Sequence, residues 1–183
     1  GEHESSDFRR ADLIVVNPAV DQRDNPFLLA AITAGIETSS EICLLIQNLP
    51  NRDRTIGVTG TAGKSTVTAM IGHILSGILG DAHVHVGGNL GGSLLERFEA
   101  IDEHDWVVLE LSSFMLEGLT DERWSPHIAV ITNFSPNHLD RYNTVEAYQQ
   151  AKQSIFDYQD PDHDIAILGS GIREHFHIKA KQV

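Results

Sequence analysis

The sequence carries one cysteine, Cys43, and two methionines in 183 residues. A single thiol excludes an intrachain disulfide framework and fits a reducing compartment. Basic residues are also scarce: 13 Lys and Arg stand against 26 Asp and Glu, for a formal net charge of −13. That balance argues against a nucleic-acid surface and leaves any anionic ligand dependent on local donors and metals. No apolar run reaches the roughly 20 residues of a membrane-spanning helix. The start, Gly1-Glu2-His3-Glu4, has neither the basic nor the apolar region of a secretory leader. A start at Gly1 instead of Met reads as a trimmed chain. The expectation is a cytoplasmic, monomeric protein with no nucleic-acid partner and no membrane insertion. Low-complexity tracts and repeats are absent, and the length suits one α/β domain or one domain plus a piece of another.

What the chain does have is Gly57-Val58-Thr59-Gly60-Thr61-Ala62-Gly63-Lys64-Ser65-Thr66. It follows an apolar run, Thr55 to Val58, and opens a pattern with apolar residues at Val67, Met70, Ile71, Ile74, Leu75, Ile78 and Leu79. That spacing predicts a helix with one buried stripe. A strand turning through glycines into a helix N-terminus cradles phosphate: glycine lets amides approach the anion, and the helix dipole favours negative charge. Lys64 would reach the terminal phosphates, and the Ser65 or Thr66 hydroxyl would bind Mg²⁺. The first glycine of the usual phosphate loop is replaced by Val58, which leaves a shorter G-x-x-G-K-[ST]. A glycine turn before a core helix explains the glycines but not Gly63-Lys64-Ser65-Thr66.

Around this stretch, strands and helices alternate. Leu13 to Val16 reads as a strand, and Asn25-Pro26 as an N-cap with proline at the first helical position, with Gly35 as the stop. Thr38 and Glu41 have capping-box spacing ahead of Ile42, Leu45 and Ile46. The polar stretch Asn48 to Arg54 reads as a domain boundary, with residues 1–48 as the end of a Rossmann-like domain too small to hold a core alone. Residues 49–183 then form the second domain. His83 to Val86, Trp106 to Leu111, Ile128 to Thr132 and Ile165 to Leu168 read as further strands. Helices are expected over Leu94, Leu95 and Phe98 and over Thr144 to Asp157, and residues 169–183 show no clear period. Near-continuous apolar strands indicate an α/β fold, a mostly parallel sheet covered by helices on both faces. Ligands bind such sheets at the carboxyl ends of the strands. That directs attention to Thr59–Thr66, Gly87–Gly92, Glu110–Ser113 and Asn133–Arg141.

Glu110 is the acidic residue within the run Trp106-Val107-Val108-Leu109-Glu110-Leu111. A buried carboxylate is costly unless paired or bound to metal, so Glu110 is either an Mg²⁺ ligand or a half-exposed strand residue. Lys152 sits four residues after Tyr148, inside the stripe Val145, Tyr148, Ile155 and Phe156. At pH 7 an unperturbed lysine is neutral in about one molecule in 2500, and a pKa drop of roughly three makes that about a quarter. A neutral amine can take up CO₂ as a carbamate, an anionic ligand for a second Mg²⁺. The alternatives are that Lys152 snorkels to the surface or pairs with a carboxylate. His138, within Asn133 to Arg141, is by itself a weak signal, because Mg²⁺ prefers oxygen ligands to imidazole. Asn89 fits either a substrate donor or turn chemistry. His83 and His85 share a strand face, but structural histidines explain them better than a metal pair.

These residues resemble the Mur ligases. Thr59-Gly60-Thr61-Ala62-Gly63-Lys64-Ser65-Thr66, Gly87-Gly88-Asn89-Leu90-Gly91, Leu109-Glu110-Leu111-Ser112-Ser113-Phe114, Asn137-His138-Leu139-Asp140-Arg141 and Ala151-Lys152 stand in that family's order and spacing. The resemblance implies a phosphate-loop ATPase domain preceded by the end of a UDP-binding domain. It implies ATP on Gly60, Thr61, Ala62, Gly63, Lys64, Ser65 and Thr66. Two Mg²⁺ would be held by Ser65 or Thr66 with Glu110, and by His138 with carbamylated Lys152. Asn89, Ser112 and His138 would contact substrate, and Lys64, His138 and Lys152 would be catalytic. The implied reaction joins D-glutamate to UDP-N-acetylmuramoyl-L-alanine through an acyl phosphate, in peptidoglycan precursor synthesis. Family members have three domains, so this chain alone is expected to be inactive in ligation. Three positions depart from the family's wording: Ala62 replaces asparagine, Met115 glutamine and Asn137 aspartate. A ligase with another amino-acid acceptor (diaminopimelate or folylpolyglutamate type) and a non-catalytic nucleotide- or UDP-sugar-binding module are the competing readings.

Overall fold

The computed structural model describes residues 3–21 and 24–183; the Gly1-Glu2 part of the amino-terminal reading lies outside them. The first segment runs α1 (Ser5–Arg10), β1 (Leu13–Val15), α2 (Pro26–Thr33), β2 (Glu37–Ser39) and α3 (Glu41–Asn48). Strands β1 and β2 pair in parallel as a two-stranded sheet. Asn25 caps α2 as its sequence predicts: its side chain accepts from the Phe27 and Leu28 amides, with Pro26 at the first helical position. The cap of α3 differs from expectation. Thr38 is inside β2, and Ser40 does the capping, its Oγ accepting from the Cys43 amide at 3.3 Å. The strand pairing claims Thr38, so the next hydroxyl takes the role.

The main sheet contains β3 (Thr55–Thr59), β4 (Val84–Gly88), β5 (Trp106–Glu110), β6 (Ile128–Ile131), β7 (Ile165–Leu168) and β8 (Lys181–Gln182). Its spatial order is β4-β5-β3-β6-β7-β8 and every pairing is parallel. Interior position explains the sequence of β3, all five of whose residues are buried, since a strand flanked on both edges and covered on both faces has no polar side to show. Because all strands point one way, the loops after β3, β4, β5 and β6 share one rim.

Helix α4 (Lys64–Leu79) covers one face of the sheet, where Val67, Ile71 and Leu75 pack on Ile56, Val58, Val84, Val108 and Val130. Gly72 allows the close approach: a Cβ there would come within 2.5 Å of Val86. Helices α3, α5 (Ser113–Asp121) and α7 (Val145–Asp157) cover the other face, around a core that includes Ile42, Leu45, Leu109, Ile131, Leu116, Leu119, Ile155 and Phe156. Helices therefore lie on both faces, as expected. The stripe on α4 matches its prediction only in part, at Val67, Ile71 and Leu75. Met70, Ile74, Ile78 and Leu79 are exposed, and the buried line runs through Thr68 and Gly72 instead. A helix this rich in apolar residues has two candidate faces, and the sheet takes the one that glycine lets come closest.

Other elements lay outside the sequence reading. These include α1, β2, α5, the one-turn α6 (Leu139–Tyr142), and the short edge strand β8 within the unassigned tail. The segment read as a helix over Leu94, Leu95 and Phe98 forms a 3-10 run, Leu94–Ala100. Among the described residues no helix is long and apolar enough to cross a membrane.

Candidate functional site

Two glycines set the turn between β3 and α4. Gly60 has φ +148°, and a Cβ on it would lie 2.0 Å from Thr132 Oγ1. Gly63, at φ +78°, is the left-handed N-cap of α4. The loop following β6 grips this turn. The Thr61 amide donates to the Asn133 carbonyl at 3.1 Å and the Ala62 amide to Asn133 Oδ1 at 2.9 Å. In return Thr132 Oγ1 and Asn133 Nδ2 donate to the Ala62 carbonyl at 2.7 and 2.8 Å. The amides of Lys64, Ser65 and Thr66 open α4, where no preceding helical turn supplies an acceptor. The Ser65 and Thr66 side chains are exposed on that first turn. The helix end is thus rigidly aimed and its donors face outward, the arrangement that binds phosphate.

Two lysines converge on one carbonyl. Lys64 Nζ donates to the Gly60 and Thr61 carbonyls at 3.1 and 3.2 Å. Lys152 Nζ, reaching in from α7, donates to the same Gly60 carbonyl at 3.0 Å and to Thr59 Oγ1 at 3.3 Å. Lys152 is 1 % exposed, and its Nζ lies 4.8 Å from the centre of the Tyr148 ring. Burial first, and the nearby Lys64 charge second, pull its pKa down to about 7. The structure thus chooses among the alternatives for this side chain: it neither snorkels nor pairs with a carboxylate. Near neutral pH the free amine is therefore readily accessible beside the phosphate loop, which is the condition for carbamate formation.

Glu110, at the end of β5, is 1 % exposed. Its Oε1 accepts from Asn89 Nδ2 at 3.0 Å, while Oε2 is buried without a partner. Asn89 is brought there by Gly88, whose φ is +85° and whose absent Cβ would overlap the Glu110 carbonyl at 2.3 Å; the Asn89 amide donates to that carbonyl at 2.9 Å. An unsatisfied, fully buried carboxylate oxygen is expensive, and a cation satisfies it.

Lys64, Asn89, Ser112 and His138 line one cavity of about 520 Å³, together with Met115 and the Asn17-Pro18-Ala19 turn after β1. Ser112 Oγ also caps α5, accepting from the Met115 amide at 3.2 Å. His138 is exposed, in a left-handed conformation at φ +52°. Its ring stands 5.2 Å from Phe114 and 6.0 Å from Tyr148, and its amide donates to Asn137 Oδ1 at 2.9 Å. Of the predicted site residues, Lys64, Asn89, Ser112 and His138 therefore share the cavity wall. Glu110 is linked to that wall through Asn89 and Lys152 through the Gly60 turn, with Thr61 and Ala62 tied to the neighbouring loop. A larger hollow of about 820 Å³ beside β4, lined by residues such as Leu94 and Phe98, gathers none of these groups.

His83 and His85 meet a partner that was not foreseen. Both rings bond the buried Asp105 carboxylate, at 2.7 and 3.0 Å. Burial raises the Asp105 pKa, but hydrogen bonds from the Asp102 amide and the two histidines outweigh it and bring it to about 2. Sequence reasoning put Asn133 in a rim cluster without a role, where it clamps the phosphate turn, and missed Glu41, which lines the cavity. Asn133 follows β6 directly, the position where polar residues meet a ligand rim; Glu41 gave no such signal.

A parallel α/β sheet with a glycine-turned phosphate cradle at its carboxyl rim defines a nucleotide-binding domain. Residues 58–182 match the Mur ligase middle domain, and the chain belongs to the Mur ligase family. It is 42 % identical over 167 residues to the UDP-N-acetylmuramoylalanine–D-glutamate ligase of Roseiflexus sp. (strain RS-1), covering 91 % of this chain and 35 % of that protein. The enzyme of the same name from Symbiobacterium thermophilum is 46 % identical over 150 residues, 82 % of this chain and 31 % of the relative. The chain thus spans about a third of the length of the curated relatives it matches. In fold it resembles the UDP-N-acetylmuramate:L-alanyl-gamma-D-glutamyl-meso-diaminopimelate ligase of Neisseria meningitides, with TM-score 0.68 and 15 % identity over 98 % of this chain and 60 % of the other. It also resembles MurF of Thermotoga maritima, solved in complex with ADP, with TM-score 0.56 and 19 % identity over 98 % of this chain and 48 % of that one.

Proposed function

We propose that this chain is the ATP-binding part of a ligase that joins D-glutamate to UDP-N-acetylmuramoyl-L-alanine, the reaction for which its 42 %-identical relative is named. The observation that carries the reading is the meeting of Lys64 and Lys152 on the Gly60 carbonyl, beside a buried Glu110 with one oxygen unpartnered. Two lysines crowded together, where burial and mutual repulsion have already lowered one pKa, lack an anion. A carboxylate with a vacant oxygen lacks a cation. Magnesium triphosphate supplies both.

In this reading the amides opening α4 and the Lys64 ammonium hold the β- and γ-phosphates. The Ser65 or Thr66 hydroxyl and Glu110 hold one Mg²⁺, and His138 with carbamylated Lys152 a second. Bound Mg²⁺ screens the triphosphate so that an anionic nucleophile can approach it. Carbamate formation joins the neutral Lys152 amine to CO₂ through a new N–C bond and releases one N–H proton, so the side chain changes from a neutral amine to an anion. Asn89, Ser112 and His138, on the wall of the 520 Å³ cavity, orient the muramoyl-alanine carboxylate. A carboxylate oxygen attacks the γ-phosphorus and ADP leaves. The D-glutamate amine then attacks the acyl carbon, and phosphate and the amine's proton depart. Residues 1–48 serve as the end of a UDP-binding domain and 49–183 as the ATP-binding domain, in a cytoplasmic, monomeric protein.

The test is calorimetric titration of Mg·ATP into the 183-residue chain, with Lys64→Ala and Glu110→Gln as variants. The expected result is binding in the parent, abolished by the first change and, in its magnesium-dependent part, weakened at least tenfold by the second. The chain alone is expected to form no D-glutamyl product. The full-length protein is expected to form it with D-glutamate and not with diaminopimelate. Failure of the parent to bind Mg·ATP overturns the reading.

A further inference from the structure

At the rim opposite the nucleotide cleft, side chains from three segments meet. Asp53 lies just before β3, His127 just before β6, and His163 and Asp164 just before β7, so the order of these neighbouring strands brings them together. One donor atom from each lies within 4.8 Å of the others. His163 Nε2 is 3.3 Å from Asp53 Oδ2, and the two imidazole rings are 4.8 Å apart.

The four do not play equal parts. Asp164 is fully buried, and its carboxylate is already occupied. It accepts from both terminal nitrogens of Arg52, from the Asp160 amide at 2.7 Å and from His127 Nδ1 at 2.9 Å. Arg52 is fixed in turn by its bond from Nε to the Ser125 carbonyl at 2.8 Å. The Arg52 charge therefore balances Asp164, which is poorly placed to give a lone pair to anything else. What Asp164 does is hold the His127 ring with its proton on Nδ1, leaving the Nε2 lone pair for a ligand. A buried carboxylate orienting an imidazole is the usual outer partner of a metal-binding histidine. Asp53 and His163 are exposed, with side-chain accessibilities of 55 % and 57 %, so an ion can reach them from solvent.

We propose that Asp53, His127 and His163 form a binding site for a zinc-class divalent ion, with Asp164 as the positioning carboxylate and water completing the shell. Two imidazoles and one carboxylate suit Zn²⁺, which favours nitrogen ligands in a four-coordinate shell, and do not suit Mg²⁺, which demands oxygen. The charge is favourable: Asp164 is neutralised by Arg52, and Asp53 offers one negative charge, although it also lies 3.6 Å from Arg52. An ion here would clamp the amino ends of β3, β6 and β7, leaving the opposite rim to nucleotide chemistry. The site is independent of the proposed ligase function.

The experiment is calorimetric titration of ZnCl₂ into the EDTA-stripped 183-residue chain without nucleotide, alongside His163→Ala, Asp53→Asn and His83→Gln. All three tested side chains are exposed, and circular dichroism verifies that each variant is folded. The expected result is one zinc per chain, at least tenfold weaker binding in the first two variants, and unchanged binding in His83→Gln. Zinc should also raise the melting temperature of the parent and not that of His163→Ala. Binding that is equal in the parent, His163→Ala and Asp53→Asn, or that falls as much in His83→Gln, overturns the proposal, as does the absence of binding below millimolar zinc.

Discussion

Replacing Lys152 by methionine should stabilise the ligand-free chain at neutral pH while removing a proposed magnesium ligand. Lys152 is 1 % exposed, and its pKa falls from 10.5 to about 7. At pH 7 a group so shifted costs about 4 kcal/mol relative to the same lysine in water, at 1.36 kcal/mol per pKa unit. Methionine has similar length and no charge, so it recovers that cost and loses two hydrogen bonds, to the Gly60 carbonyl and Thr59 Oγ1. Each of those contributes about 1 kcal/mol, and the Gly60 carbonyl keeps Lys64 as a donor. The net gain is about 2 kcal/mol, or roughly 4–8 °C in Tm for a chain of this size. The sign with pH follows from proton counting. Between about 7 and 10.5 the unfolded chain keeps the Lys152 proton and the folded chain does not, so parent stability rises with pH in that window. The advantage of the methionine variant is therefore full below pH 7 and shrinks towards pH 10. Urea unfolding of both proteins at pH 7, 8 and 9 in CO₂-free buffer measures it. A destabilised methionine variant, or a difference that does not change with pH, would refute the argument.

Gly60→Ala places a Cβ 2.0 Å from Thr132 Oγ1 at a φ of +148°; a loss of about 2–3 kcal/mol is expected in urea unfolding, with Mg·ATP binding abolished in calorimetry. Glu110→Gln should leave the fold intact, because Asn89 can still donate to the amide oxygen. It should weaken magnesium-dependent nucleotide binding at least tenfold, as read by titrating Mg²⁺ at fixed ATP. Asp105 is held at about 2, below its usual 3.8, so it contributes stability above pH 4 that disappears as pH falls through 2. In Asp105→Asn that part of the acid transition should vanish from circular dichroism.

The sheet was readable in the sequence because its inner strands hold apolar stretches, such as Val107-Val108-Leu109, that have no second possible role. Lys152 was readable for the opposite reason: a charge inside an apolar stripe has few consistent explanations, and burial selects among them. The parts that were not readable depend on pairings distant in sequence. Met70, Ile74 and Ile78 satisfy helical periodicity as well as Val67, Ile71 and Leu75 do, and the approach of Gly72 to Val86 decides which set is covered. Thr38 has the right spacing for a cap, but pairing of β2 with β1 removes it from the helix end. Asp105 gives no local hint that two histidines from the neighbouring strand's start will converge on it. Asn133 clamps a turn some seventy residues earlier, a contact that exists only once β3 and β6 are neighbours.

Those distant pairings also explain how an acidic chain could build the anion site proposed for it. With a net charge of −13, the overall field repels a triphosphate, so attraction has to be local and arranged in advance. The β3–β6 pairing fixes Asn133 on the turn and aims the α4 amides. The β3–β5 pairing puts Glu110 level with Val58. Helix α7 then carries Lys152 back to the same turn. None of these contacts relieves the stress of the site by itself: the lysines stay crowded and one Glu110 oxygen stays unpaired. In the proposed reading, nucleotide and metal binding recovers the stability given up in this way, so it should rigidify the Thr59–Thr66 turn and the Asn133 loop together. Amide hydrogen exchange would show this as joint protection of Thr61 and Ala62 with the β6 loop on adding Mg·ATP. Protection confined to the first turn of α4 would mean that the clamp and the cradle are not coupled.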